Sequence, residues 1–220
     1  MAAEYACAAC HTPFVSAHPL DDRGLCALCR QELLGYDGAF SYGFYEGALR
    51  RLIHLFKFER VETLAVPLGR HMALALPRDQ RFDLIIPLPL HWRRQWSRGF
   101  NQAALLAREV SRRTGIPLAG KRALVRLRHA APQSGLSSAA RRRNAAGLFE
   151  VVDRQQIAGR RVILVDDVLT TGATAQSAAR ALKRAGAVRV TVLTLARADR
   201  RPIMAGLRAI SVEKAEGASN

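Results

Sequence analysis

The sequence predicts an α/β fold, a parallel sheet flanked by helices, with a small cysteine-bearing subdomain at the N-terminus. Apolar runs rich in β-branched residues, at 82–89, 161–165 and 188–195, alternate with helical patterns of about ten to fifteen residues. The run 161–165 stops at two carboxylates, Asp166 and Asp167, and a turn rich in hydroxyls precedes an alanine-rich helical pattern over 175–185. All four cysteines lie before residue 34. The expected organisation is a subdomain at 1–34, a connecting strand and helix segment at 35–80, the α/β core at 81–200 and a tail at 201–220.

Within 1–34, Cys7, Cys10, Cys26 and Cys29 form two C-x2-C pairs fifteen residues apart. Each pair closes a tight knuckle and presents two thiolates to one tetrahedral ion, which is zinc-ribbon spacing. Disulfides would need an oxidising compartment. Neither pair opens a helix of a βαβ unit, as a thioredoxin-type redox motif does. Four thiolates fill the shell of Zn²⁺, so a structural site is expected, with His11 and His18 at the surface.

Residues 35–47 mix glycine with Tyr36, Phe40, Tyr42, Phe44 and Tyr45, and read as a linker into a short strand. Such a cluster either stacks bases or packs the subdomain onto its neighbour, and packing is the commoner use. A helix follows over 46–58, with Leu49, Ile53 and Phe56 on one stripe and Arg50, Arg51, Lys57 and Arg60 mostly elsewhere. Another helix is expected over 61–76, with a break or start near Pro67.

The strand at 82–89 ends in Pro87-Leu88-Pro89, which stops a ladder. The loop after it carries His91, Arg93, Arg94 and Arg98 at the C-terminal end of a strand, where open α/β sheets bind ligands, and it reads as an anion site. The helix at 102–114 is expected to be capped by Asn101 or a neighbour, with Leu105, Leu106 and Val110 inward. Residues 115–122 nearly match the P-loop pattern, but Arg122 replaces the hydroxyl residue that holds Mg²⁺, and 123–127 read as a strand where a helix is required. An ATPase site is excluded on that ground. Residues 126–144 are polar and Arg-rich, read as a functional or flexible basic loop with a short helix capped by Ser137 or Ser138. A strand returns at 149–152, residues 198–220 carry little pattern, and 213–220 are expected to be frayed or disordered.

The net charge is +16, from 34 basic and 18 acidic residues, and only four of the basic residues are lysines, at 57, 121, 183 and 214. Such a surface attracts polyanions, though Arg-rich coding with solvated charge gives the same composition. No apolar window is long enough to span a bilayer, and the N-terminus lacks the basic region of a signal peptide. A cytoplasmic protein without membrane insertion is expected.

The turn at 166–174 is the most specific feature. Its backbone N–H groups and the following helix N-terminus can hold a phosphate. The hydroxyls of Thr170, Thr171 and Thr174 add donors. Asp166 and Asp167 can accept from vicinal hydroxyls or hold Mg²⁺ through water. A capped helix start needs one such residue, whereas five crowd these nine positions. The string also resembles the PRPP-binding signature of type I phosphoribosyltransferases, in which an acidic pair is followed by Thr-Thr-Gly-x-Thr.

Taken together, the ribbon, the 52–58 helix end, Pro87-Leu88-Pro89-Leu90-His91, Arg98-Gly99-Phe100-Asn101-Gln102-Ala103, Gln133 with Arg143-Asn144, and the 166–174 turn resemble the ComF (competence protein F) family over residues 5–197. The resemblance implies a type I phosphoribosyltransferase-like sheet with a zinc ribbon, binding PRPP with Mg²⁺ and acting in DNA uptake. It implies that Thr170, Thr171, Gly172, Ala173 and Thr174 wrap the 5′-phosphate and that Asp166 and Asp167 face the ribose hydroxyls. Leu88, Pro89, Leu90, His91 and Arg93 correspond to the pyrophosphate loop, with Arg98 and Asn101 nearby. Arg126, Gln133, Arg143 and Asn144 correspond to the flexible loop. Single-stranded DNA and a DNA-uptake helicase are the implied partners. No catalytic base is assigned, although His91 and His129 stand near these loops. Two other readings stay open on these motifs, a metabolic phosphoribosyltransferase acting on a base or amine and a non-catalytic DNA-binding adaptor.

Overall fold

The computed structural model describes residues 5–14, 17–18, 20–30, 35–90, 99–120, 123–127 and 148–198. The N-terminal unit is a two-stranded hairpin, β1 (Tyr5–Ala6) and β2 (Pro13–Phe14), with the helical turn α1 (Ala27–Arg30). Then come β3 (Gly38–Phe44), α2 (Gly47–Phe58), a 3₁₀ turn (Glu62–Leu64) running into α3 (Ala65–Leu74), β4 (Leu84–Pro87) and α4 (Gln102–Thr114). After these follow β5 (Val125–Arg126), β6 (Phe149–Glu150), β7 (Arg161–Leu169), α5 (Ala173–Arg184) and β8 (Arg189–Arg197).

Four strands form one parallel sheet in the order β3-β8-β7-β4. The central strands are apolar because the sheet is covered on both faces. Val162, Ile163, Leu164 and Val165 of β7, and Val190, Val192, Leu193 and Leu195 of β8, are fully buried. Helices α3 and α4 pack together over β4, β7 and β8, while α5 packs on β6, β7 and β8. The alanines of α5, among them Ala175, Ala178 and Ala179, are buried and bring its axis close to the sheet. Gly115 ends α4 in a left-handed conformation at φ 73°, so the first glycine of the near-P-loop string is a helix C-cap. The sheet flanked by helices, with the cysteine-bearing unit beside it, is the fold class the alternating pattern predicts.

Two elements differ from expectation. Strand β7 does not stop at the carboxylates but runs through Asp166 and Asp167 to Leu169. Pairing is a backbone property, and β8 runs alongside for the whole length, with Asp166 opposite Thr194 and Leu169 opposite Arg197. Strand β3, expected within a connecting segment, is an edge strand of the main sheet. The hydroxyls of Ser41 and Thr194 meet across that edge at 2.7 Å.

The N-terminal unit is docked on β3. Ala39 N–H donates to the Cys10 carbonyl at 3.2 Å, and the His11 ring stacks on Phe40 at 4.7 Å. His11 is therefore partly buried in that seam, whereas His18 is exposed as expected. Tyr36 is buried and Phe40 packs against the core, in line with a packing role for part of the aromatic cluster, while Tyr42 is exposed. No helix among the described residues is long and apolar enough to cross a membrane.

Candidate functional site

The site is built on the end of β7. Successive residues of a strand point to opposite faces, so Asp166 and Asp167 diverge although they are neighbours. Asp167 is buried and Asp166 half-buried. The Asp167 N–H donates to Asp166 Oδ1 at 2.8 Å. Lys57 Nζ, from the last turn of α2, lies 2.7 Å from Asp167 Oδ1. Burial pushes the Asp166 carboxyl up to about 7, and the charge on Asp167 adds to that. The Asp167 N–H, Lys57 and Arg126 pull the other way.

The turn after the acidic pair keeps Thr170 and Thr171 exposed. Gly172 sits at φ 78°, a left-handed conformation that favours glycine, and is the N-cap of α5. Having no side chain, it leaves the cap to its neighbours. The Ala173 N–H reaches Thr171 Oγ1 at 3.4 Å, and no acidic side chain stands in the first turn of α5. The positive end of the α5 dipole therefore opens toward the threonines. Ala173 is exposed and Thr174 half-buried, so this helix start is reachable from solvent.

A second loop converges on the same end of the sheet. Leu88 N–H extends the β4–β7 pairing by donating to the Val165 carbonyl at 2.8 Å. Leu88 is buried, and Pro89 and Leu90 are half-buried. Asn101 does occupy the N-cap position of α4, but its side chain does not cap. Instead Nδ2 donates to the Leu88 carbonyl at 3.2 Å, tying the start of α4 to the β4 loop. Its Oδ1 is buried without a hydrogen-bond partner among the described residues. His91, Arg93 and Arg98 lie outside the described residues, as do Gln133, Arg143, Asn144, His129 and the helix expected at Ser137 or Ser138. Of the expected flexible loop, Arg126 is described. It lies in β5, its guanidinium 5.5 Å from the centre of the Phe149 ring.

Lys57 is the residue that sequence reasoning missed. The amphipathic pattern of α2 placed it away from the apolar stripe, with the arginines. Its helix is anchored by fully buried Ile53 and Phe56, and the Phe56 ring lies 5.7 Å from Phe100, beside Asn101. The one local hint is its place one residue after Phe56, at the end of a helix whose opposite face is core.

The cysteines form a separate site. Their sulfurs all lie within 4.8 Å of one another, with Cys7 Sγ 3.6 Å from Cys29 Sγ and Cys10 Sγ 3.8 Å from Cys26 Sγ. Burial raises the Cys10 and Cys29 thiols, and the charge of the neighbouring sulfurs raises them further. At Cys7 burial is outweighed by backbone N–H groups around Cys10, Cys26 and Ala9, and the thiol falls to about 7. Four such groups ionise together only around a cation, and four sulfurs leave a tetrahedral ion no open position. Neither histidine of the segment belongs to the group.

Comparison with known proteins places these features. A family model described as a phosphoribosyl transferase domain matches residues 98–212. Over 180 residues the chain is 36% identical to competence protein F of Haemophilus influenzae, covering 79% of this chain and 78% of that one. It is 36% identical over 178 residues to the DNA utilization protein YhgH of Escherichia coli O157:H7, covering 78% and 77%. Competence protein ComFC of Bacillus subtilis aligns over 120 residues at 35% identity, 54% of this chain and 46% of that one. The acidic pair, the turn and α4 fall inside the matched domain, whereas the cysteines, β3 and Lys57 precede it.

The raised Asp166 carboxyl fixes the sign of a pH dependence. The folded chain keeps this proton up to about pH 7, whereas an unfolded Asp loses it near about 3.9. The native state binds more protons in between, so this group makes stability fall as pH rises from about 4 through 7. In Mg²⁺-free buffer, Asp166→Asn is expected to flatten the decline of the urea midpoint between about pH 4 and 7. Parallel midpoint curves for the two proteins would refute the assignment.

Proposed function

The chain belongs to the competence protein F family, built on a phosphoribosyl transferase domain, and from that premise we propose that it binds PRPP at the end of β7 in the service of DNA uptake. The observation that carries the proposal is the sequence of chemistries along one short path. A carboxylate pair at a strand end is followed within a few residues by an open, glycine-capped helix start. The amides and hydroxyls of Thr170 to Thr174 hold the 5′-phosphate on the α5 dipole. Asp166 and Asp167 accept from the ribose 2′- and 3′-hydroxyls. Leu88, Pro89 and Leu90 face the pyrophosphate, and His91, Arg93 and Arg98 are candidates for its polar and charged contacts. Gln133, Arg143 and Asn144, downstream of Arg126, are candidates for further contacts to the ligand.

The carboxylate pair is a hard oxygen donor set, which suits Mg²⁺. Asp166 or Asp167 would hold Mg²⁺ at this strand end, and the ion would compensate charge on the pyrophosphate. The four-sulfur group suits Zn²⁺ by softness and by tetrahedral geometry, and with its shell full the metal is structural. Affinity for single-stranded DNA, and work beside a helicase of DNA uptake, are supported by the +16 charge and by the names of the relatives, competence and DNA utilization proteins.

Calorimetric titration with PRPP and Mg²⁺ tests the ligand. Binding is expected, and Thr171→Ala is expected to weaken it about tenfold or more, the loss of one hydrogen bond to a charged group. No binding heat from the wild type would sink the reading. For the metal, the reduced protein is expected to carry one zinc per chain, and Cys10→Ser to lose it together with thermal stability; a zinc content near zero would remove the ribbon. For DNA, the affinity for a single-stranded oligonucleotide is expected to drop steeply between about 50 and 200 mM salt through counterion release, and a flat profile would count against arginine contacts.

A further inference from the structure

The acidic pair has a cation of its own. Lys57 reaches Asp167 Oδ1 at 2.7 Å with both side chains mostly buried, at 15% and 11% exposure. A pair so shielded from water interacts more strongly than a surface ion pair, and removing one partner leaves an uncompensated charge. The lysine is delivered by a fixed scaffold. Ile53 and Phe56 of the same helix are fully buried, and Phe56 packs on Phe100, next to the residue that holds the Leu88 carbonyl. Arg50, Arg51 and Arg60, by contrast, are exposed. Lysine also suits the position chemically, since its ammonium is a compact point charge with three donors, one of which serves Asp167 here.

Resting on the PRPP reading above, we infer that Lys57 is a positioning residue of the PRPP site. It fixes the orientation and charge of Asp167 for the ribose hydroxyls and acts as a built-in counter-cation. The consequence is specific. With no ligand bound, the ammonium holds the carboxylate that a divalent ion would use, and so competes with Mg²⁺. With PRPP bound, it does part of the electrostatic work of the metal, and binding leans less on Mg²⁺. Lys57 precedes the matched domain, so the segment before residue 98 completes the site. A lysine that merely staples α2 to β7 would change stability and leave both metal and ligand affinities alone.

The test uses the full chain and compares wild type with Lys57→Met and Lys57→Arg by calorimetry, once with Mg²⁺ alone and once with PRPP across a range of Mg²⁺ concentrations. Lys57→Met is expected to bind Mg²⁺ more tightly than wild type in the absence of PRPP. It is expected to bind PRPP about tenfold more weakly at low Mg²⁺, a loss the size of one charged hydrogen bond, with the gap closing as Mg²⁺ rises. Lys57→Arg keeps the charge and is expected to recover most of the PRPP affinity. If Lys57→Met does not fold, Lys57→Gln carries the same comparison. Unchanged affinities for Mg²⁺ and PRPP in the neutral variant, whatever its melting temperature, would overturn the inference and leave only a staple. Wild type that binds no PRPP would overturn the ligand reading, and the Mg²⁺ arm would then decide whether Lys57 is the counter-cation of the pair.

Discussion

Two carboxylates at the end of a buried strand repel each other and resist burial, and the rest of the molecule is arranged to tolerate them. The strand's alternation turns Asp166 and Asp167 to opposite faces. The peptide N–H between them donates to Asp166, and Lys57 answers Asp167 from the last turn of α2. Even so, burial holds the Asp166 carboxyl well above the usual carboxylate range. A protein that needed only a stable strand would gain by replacing such a pair with apolar residues. Such a pair at the C-terminal edge of a parallel sheet, beside an open helix start, fits the proposed PRPP site.

That constraint explains why the N-terminal third is no mere appendage. The thiol group closes the small hairpin unit, the unit docks on β3 through the Cys10 carbonyl and the His11–Phe40 stack, and β3 lies against β8. Helix α2 follows β3 directly and ends at Lys57. The segment before the matched domain thus supplies both an edge strand of the sheet and the lysine paired with Asp167.

Much of this was legible in the sequence, and the parts that were not share a cause. Helix α4 begins and ends where the pattern of 102–114 placed it, because Leu106 and Val110 form an apolar stripe and Gly115 stops it. The cysteine group was legible because its geometry is local, two knuckles of fixed spacing. The end of β7 is not legible in the apolar pattern, because the ladder to β8 continues under polar side chains. The sequence suggests a cap at Asn101 because caps are local, whereas its side-chain partner is the Leu88 carbonyl. The place of β3 in the main sheet depends on a strand about 150 residues later, and the role of Lys57 on a carboxylate 110 positions away. A single sequence shows which residues can do chemistry; the fold decides which of them meet.

The most direct measurement is amide hydrogen exchange along β7 and the start of α5, with and without PRPP and Mg²⁺. The account predicts slowed exchange concentrated in the amides from Thr170 to Thr174, because those N–H groups receive the 5′-phosphate. Binding of PRPP with unchanged exchange in that turn, and protection elsewhere, would contradict it.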